Sequence, residues 1–225
     1  MNNLFYDGFN SKLIETAMFE SLLEIPVLEA PKDIIIPRKA IPFSRIDQLS
    51  DPLDMLVFYE QDPIFRDFVS VPQKYDKLLS KVKIMSTPDC SLYRDMPLWE
   101  QLANIGVARS IGYYEQQQGK YIIPNIRWGD ERTYTTMHFD IPPTFAGAPK
   151  KSIVSIGTYG CCQKKEDKYH LEAFLEAMLD YLMPLDVIVY GSFNKKYLQQ
   201  YGKYTNFHVI PDWISFKRGD QNGDE

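Results

Sequence analysis

Between Lys83 and Trp213, short apolar runs alternate with stretches of helical periodicity, and small or polar residues follow most of those runs at once. Met85 gives way to Ser86-Thr87-Pro88-Asp89, Ile126 to Arg127-Trp128-Gly129-Asp130, and Ile156 to Gly157-Thr158-Tyr159-Gly160. Tyr190 gives way to Gly191-Ser192, and Ile210 to Pro211-Asp212-Trp213. Strands separated by segments long enough to cross over form parallel sheets, whose carboxyl-end loops gather on one rim where ligands sit. The pattern predicts an α/β fold: a mostly parallel sheet with flanking helices, either open and doubly wound or an incomplete (β/α) barrel, since around six strands suit both.

Upstream, Leu13, Ile14, Ala17, Met18, Ser21 and Leu22 share one helical face, with Ser11 placed to cap it and Pro26 to end it. That spacing predicts an amphipathic helix of about three turns. Four prolines between Ile25 and Pro42 predict an extended wrapping segment, in which Ile34-Ile35-Ile36 is at most an edge strand. Met55 to Tyr59 reads as a strand, and Asp62-Pro63 as an N-cap followed by a first-turn proline. Further strands are predicted at Val82–Ser86, Tyr121–Ile126, Ser152–Ile156, Asp186–Tyr190 and Phe207–Ile210. Helices are predicted from Pro97 to the stop at Gly119, across Leu171–Leu182, and from Asn194 to Tyr201. Gly106 and Gly112 each weaken the first of these by up to roughly 1 kcal/mol relative to alanine, which implies close packing against the sheet. Thr133 to Phe139 alternates like a half-exposed strand, antiparallel to its neighbours. The sum is one domain over residues 1–216, with the helix and wrap occupying about 1–45, and a solvated tail at 217–225.

With 225 residues, 44% of them hydrophobic, the chain is long enough to bury a full core. A formal net charge of -5 removes any general pull toward phosphate backbones, so nucleic acid is the less expected partner. No run approaches the roughly 20 apolar residues of a membrane span, and the opening Met1-Asn2-Asn3 carries no signal pattern, so a cytoplasmic location without membrane contact is expected. Cys90, Cys161 and Cys162, two of them adjacent, fit a reducing compartment, and no CxxC or zinc-spaced histidine accompanies them.

Four stretches also carry a family likeness: Thr87-Pro88-Asp89-Cys90-Ser91-Leu92-Tyr93-Arg94-Asp95-Met96-Pro97, Ile123-Pro124-Asn125-Ile126-Arg127-Trp128, Ser152 to Gly160, and Val187-Ile188-Val189-Tyr190-Gly191. In that order they resemble the domain of unknown function family numbered 4417, found in bacteria, phages and plasmids, over most of the chain from Ile34 onward. The resemblance implies a cytoplasmic protein often encoded on mobile elements. It implies no activity, cofactor or catalytic residue. Cys161-Cys162 and His138 look particular to this chain.

The candidate chemistry lies just past the strands, and each element has a structural reading beside the functional one. Asp89, with Ser91, Tyr93 and Asp95 behind it, places a carboxylate and hydroxyls on the rim as acid/base or hydroxyl anchor, or else Asp89 and Ser91 cap turns before Pro97. Asn125, Arg127, Trp128 and Asp130 combine an amide, a fixed cation, an aromatic plate and a carboxylate, a set suited to an anionic or heterocyclic ligand. Their structural reading is an Arg127 ion pair to Asp130 or Glu131 with Trp128 plugging the sheet end. Gly157-Thr158-Tyr159-Gly160 matches no nucleotide fingerprint and reads first as turn geometry, with Thr158 as a further orienting group. Cys161 or Cys162 with His170 or His138 lacks any nucleophile motif, and His138 with Asp140 is a hydrogen-bonded pair before it is a metal site. Lys195, Lys196, Tyr197, Tyr201, Lys203 and Tyr204 form a basic, aromatic cluster that suits a single strand or simply clothes a surface helix. Two functions emerge: a rim pocket handling a small phosphorylated or nucleotide-like ligand, or a phage or plasmid protein that binds a host or phage macromolecule without catalysis.

Overall fold

The computed structural model describes residues 10–158 and 165–221. β1 (Phe19–Glu20) and β2 (Ile25–Pro26) form an antiparallel hairpin. β3 (Lys39–Pro42), β4 (Asp54–Val57), β5 (Ile84–Ser86) and β6 (Tyr121–Ile123) make one parallel sheet, and β7 (Ile153–Gly157), β8 (Asp186–Tyr190) and β9 (Asn206–Ile210) another. The helices are α1 (Asp62–Ser70), α2 (Asp76–Leu79), α3 (Leu98–Gln117), α4 (Glu131–Tyr134), α5 (Lys165–Leu182), α6 (Lys195–Tyr201) and α7 (Trp213–Gln221).

A short seam joins the two sheets. Asn125 and Ser155 bridge in parallel, with the Ser155 N–H donating to Pro124 O at 2.8 Å and the Ile126 N–H to Ser155 O at 2.7 Å. Seven parallel strands therefore follow one another in chain order from β3 to β9. In a flat sheet, strands four places apart lie roughly 19 Å from each other. Yet the rings of Tyr59, just past β4, and Tyr190, at the end of β8, stack with centroids 4.7 Å apart. The sheet is curled, and of the two expected geometries the incomplete barrel is the one that forms.

Strand alternation sorts the side chains into an inside and an outside. Met55, Val57, Ile84, Ile123, Ile153 and Ile188 point inward and fill the barrel with Tyr59 and Tyr190. Leu56, Phe58, Met85 and Ile122 point outward and are buried with the inner faces of α1 and α3. Val154, Ile156, Val187 and Val189 do the same with α5 and α6. Gly112 of α3 lies so close to Thr87 and Leu28 that no larger residue fits without displacement, as its place in the helix implied. Gly106 meets only Ile25 at ordinary contact distance, so close packing does not account for it.

Two local expectations are corrected, and two further elements form that the sequence reading did not predict. No three-turn helix forms near the N-terminus: Ser11–Ile14 is a single 3-10 turn, and the chain then reverses through Ser21 (φ 64°) and Glu24 (φ 51°) into β2. Met18 and Leu22, needed on the buried face of such a helix, are 74% and 79% exposed. Backbone pairing wins because a short isolated helix is marginal, whereas the hairpin anchors its ends: Gly147 N–H donates to Glu20 and Leu28 N–H to Gly147 O. The edge strand of the wrap is β3 and not Ile34–Ile36. Thr133 to Phe139 is no strand, because Asp130 caps α4 through the Arg132 N–H and the chain continues irregularly. Beyond Phe216, where a solvated tail is expected, Lys217, Arg218 and Gly219 are exposed, and the chain is helical to Gln221 as part of α7.

Candidate functional site

The carboxyl ends of the seven parallel strands open on one cavity of about 600 Å³, within the range of small-molecule sites. Each strand delivers a residue to it, either its last or one just beyond: Pro42, Tyr59, Asp89, Arg127, Gly157, Tyr190 and Asp212 in chain order. Consecutive strands of a curled parallel sheet end on a common lip, so the convergence is a consequence of the winding.

At the inner end of this mouth lies a connected polar group. Asn125 Nδ2 donates to Asp89 Oδ1 at 2.6 Å, and Arg127 Nη1 lies 3.5 Å from Asp89 Oδ2. Tyr59 donates its hydroxyl to Asn125 Oδ1 at 2.9 Å, while the Asn125 N–H donates to Thr87 Oγ1 at 2.9 Å. With its oxygen turned to a phenol and its nitrogen to a carboxylate, the Asn125 amide has one orientation that satisfies both ends. Burial raises the Asp89 carboxyl above its ordinary range, while the Arg127 charge and then the Asn125 hydrogen bond pull it back down. Burial likewise pushes the Tyr59 phenol well up, helped by the Asp89 charge, so Tyr59 acts as a neutral donor.

Arg109 of α3 supports the strand exit from beneath. Its guanidinium, buried in the core, donates to three carbonyls: Ala146 O at 3.1 Å, Asn125 O at 3.1 Å and Thr144 O at 2.9 Å. Thr144 in turn donates its hydroxyl to Arg127 O. One buried cation thus holds the backbone of both Asn125 and Arg127.

Of the residues the sequence points to, the structure brings Asp89, Asn125 and Arg127 together, and Ser91 lines the same mouth, with its hydroxyl donating to Asp62 Oδ1 at 2.7 Å. Trp128 does not serve as a plate there: its indole stacks on Phe174 at 4.4 Å in the layer beneath α5. The reason is strand phase, since Asn125 and Arg127 point inward and the residues between and beyond them outward. Thr158 does not face the mouth either; its hydroxyl donates to Ser192 O at 2.6 Å and ties the ends of β7 and β8 together. Asp130 pairs with Arg132 at 2.6 Å and not with Arg127. His138 and Asp140 fall in irregular chain, and Asp140 accepts from the Leu22 N–H. His170 Nδ1 meets the Tyr134 hydroxyl at 2.8 Å. Tyr159, Gly160, Cys161 and Cys162 lie outside the described residues, among which no three His, Cys, Asp or Glu side chains group to hold a metal. In the α6 cluster, Lys196 and Tyr197 bind Glu172 and Tyr201 binds Glu176, so much of it clothes α5.

Sequence reading missed Tyr59, Tyr190 and Trp213, all lining the mouth. For the two tyrosines the signal was present: each sits at an inward position where a predicted strand ends.

The sequence model of a family described as "Domain of unknown function (DUF4417)" matches residues 17–208, reaching back past Ile34 into the hairpin. The Gene 1 protein of Mycobacterium phage D29 is 32% identical over 136 residues, which are 60% of this chain and 48% of that protein. The Gene 1 protein of Mycobacterium phage L5 is 31% identical over 136 residues, 60% of this chain and 56% of the relative. The matched part thus spans about half the length of these curated relatives. No solved structure matches the chain. No helix among the described residues is long and apolar enough to cross a membrane.

Proposed function

The chain belongs to the DUF4417 family, whose function carries no assignment, and we propose that it binds and acts on a small nucleotide-like ligand at the carboxyl mouth of its curled sheet. The observation that carries this reading is the Asp89, Asn125, Arg127 and Tyr59 network at the inner end of a cavity to which all seven parallel strands contribute. A buried carboxylate beside a guanidinium is costly to hold out of water, and such arrangements concentrate where a ligand or a proton transfer uses them. In this reading Asp89 is the acid/base or hydrogen-bond acceptor, Arg127 clamps the electron-rich part of the ligand, and Asn125 fixes the carboxylate plane. Ser91 supplies a hydroxyl at the wall, and Trp213 supplies the aromatic surface expected of Trp128.

The test is native mass spectrometry of the full chain for retained small molecules, together with thermal unfolding across a panel of nucleoside monophosphates and inorganic phosphate. At least one nucleotide is expected to raise the melting temperature of the wild type and not of Arg127→Ala. No retained compound and no shift across the panel contradict the reading.

One observation favours the second reading, a protein that binds a host or phage macromolecule without catalysis. The β1–β2 hairpin exposes Met18, Phe19 and Leu22 together, and apolar anchors of this kind dominate many interfaces. Loss of a stoichiometric partner on Leu22→Asp, with unchanged nucleotide binding, would support it.

A further inference from the structure

This inference rests on the mouth being a nucleotide site, and it names which part of the nucleotide faces inward and which base it carries. At the inner end of the cavity the Asp89 carboxylate and the Arg127 guanidinium stand side by side, 3.5 Å apart, and largely neutralise each other. A phosphate brought to that point leaves water for surroundings with little net charge, so its desolvation is poorly repaid. A neutral planar group that offers N–H donors beside a carbonyl satisfies both side chains at once.

The donor count narrows the choice. Asn125 Nδ2 binds one edge of Asp89 Oδ1 and fixes the carboxylate plane, which leaves acceptor positions on both oxygens for a pair of neighbouring donors. Among the common bases, guanine alone sets N1–H and the N2 amino group side by side, with O6 next to them. Adenine and cytosine place a ring-nitrogen acceptor beside their amino donor, which a carboxylate repels. Uracil offers one N–H between two carbonyls. Outward from this point Trp213 supplies aromatic surface on the wall, and Arg45 is the cation at the lip. Glu60, held by the Ser44 N–H and hydroxyl, and Asp212, held by Ser215, keep negative charge near that lip against the cation of Arg45, so the phosphate adds little and the base carries the affinity.

We propose that the mouth takes a guanine nucleotide base first, with Asp89 accepting from N1–H and the N2 amino group, Arg127 donating to O6, and the ribose and phosphate directed to the lip beside Arg45. The hydrogen-bond complementarity of a buried polar floor then sets base choice, since an analogue that leaves the floor unpaired is rejected far more strongly than one that merely loses apolar contact.

Isothermal titration of the full chain with the 5′-monophosphates of guanosine, inosine, xanthosine and adenosine tests this. The guanosine form is expected to bind tightest, the inosine form, which lacks the N2 amino group, about tenfold weaker, and the adenosine form about a hundredfold weaker or more. Asp89→Asn is isosteric: with its oxygen kept toward Arg127, its amide nitrogen donates to the xanthine O2 and to an Asn125 amide turned over, whose own nitrogen then donates to the Tyr59 hydroxyl, so its preference is expected to switch from the guanosine to the xanthosine form, with thermal unfolding checking that the fold is kept. Arg127→Gln keeps one donor toward O6 and is expected to weaken guanosine monophosphate while retaining the order guanosine before inosine. Guanosine, which lacks the phosphate, is expected to compete with guanosine monophosphate. Adenosine monophosphate binding as tightly as the guanosine form, an unchanged order in Asp89→Asn, or no competition by guanosine would overturn the base-first assignment and leave a nucleotide site standing. Binding of none of the four would overturn the nucleotide site with it.

Discussion

Gly157 and Tyr59 are fitted to each other across the barrel: a side-chain carbon on Gly157 would fall inside the van der Waals envelope of the Tyr59 ring. That ring has little room to yield, since its hydroxyl is bound to Asn125 and its face rests on Tyr190. Gly157→Ala is therefore expected to lose about 1–3 kcal/mol in urea unfolding, the usual range for overpacking. In a Tyr59→Leu background the same substitution is expected to cost much less, because the two positions share one space. Additive losses would contradict the fit.

The Asp89 carboxyl gives a pH dependence with a definite sign. Its pKa in the folded protein is raised, by burial first, with Arg127 and Asn125 opposing. The folded state thus holds this proton more tightly than the unfolded chain, so stability falls as pH rises from about the unfolded value, near 3.9, through the raised folded value, and then levels. Asp89→Asn carries no such charge and is expected to be more stable than wild type at pH 7, with the difference fading below about pH 4. Equal stabilities at pH 7 would show that Arg127 and Asn125 fully offset the burial. A gain in stability paired with loss of ligand is the usual mark of a functional group held at a cost.

Arg109 is expected to be the most sensitive position outside the mouth. Burial lowers its pKa to about 10, against a smaller opposing effect of Glu20, so it stays charged at neutral pH and continues to donate to three carbonyls. Arg109→Leu orphans those acceptors at about 1–3 kcal/mol each, enough to unfold a marginal domain. Arg109→Lys restores part of the loss with a single flexible donor group. Thermal unfolding of both variants checks the order, and a leucine variant as stable as wild type would refute the support role.

Trp128 separates packing from binding. Trp128→Ala is expected to cost about 3–5 kcal/mol through the lost stack on Phe174. Trp128→Phe keeps a ring in place and should leave ligand affinity unchanged. A large affinity loss in Trp128→Phe at preserved stability would return the indole to the site.

The parallel sheet was legible because both its signals are local. β8 falls where Asp186–Tyr190 was read, and α5 carries the periodicity of Leu171, Phe174, Leu175 and Met178. Two features misled. Leu13, Ala17, Met18 and Leu22 have helical spacing, yet the hairpin that replaces the helix is held by long-range partners such as Gly147, which no window of sequence reveals. β3 was hidden between Pro37 and Pro42, because an edge strand tolerates proline and so resembles a loop. Strand-end position and chemistry single out Asp89, Asn125 and Arg127, whose side chains meet in one network. Trp128 and Thr158 were assigned to the rim from the same position without regard to strand phase, and both turn away from the mouth. Arg109 gave no signal, since its role depends on carbonyls from three separate positions.

The central claim is that the carboxyl mouth is where this protein meets its ligand. Backbone amide shifts of the ¹⁵N-labelled full chain, followed by NMR during titration with guanosine monophosphate, test it most directly. The account predicts that the responding amides cluster at Tyr59 to Gln61, Asp89 to Ser91, Arg127, Gly157 and Trp213, at the carboxyl ends of strands that are far apart in the chain. Saturating ligand that shifts none of these, or shifts only the opposite end of the barrel around Tyr121, Asp186 and His208, would contradict it.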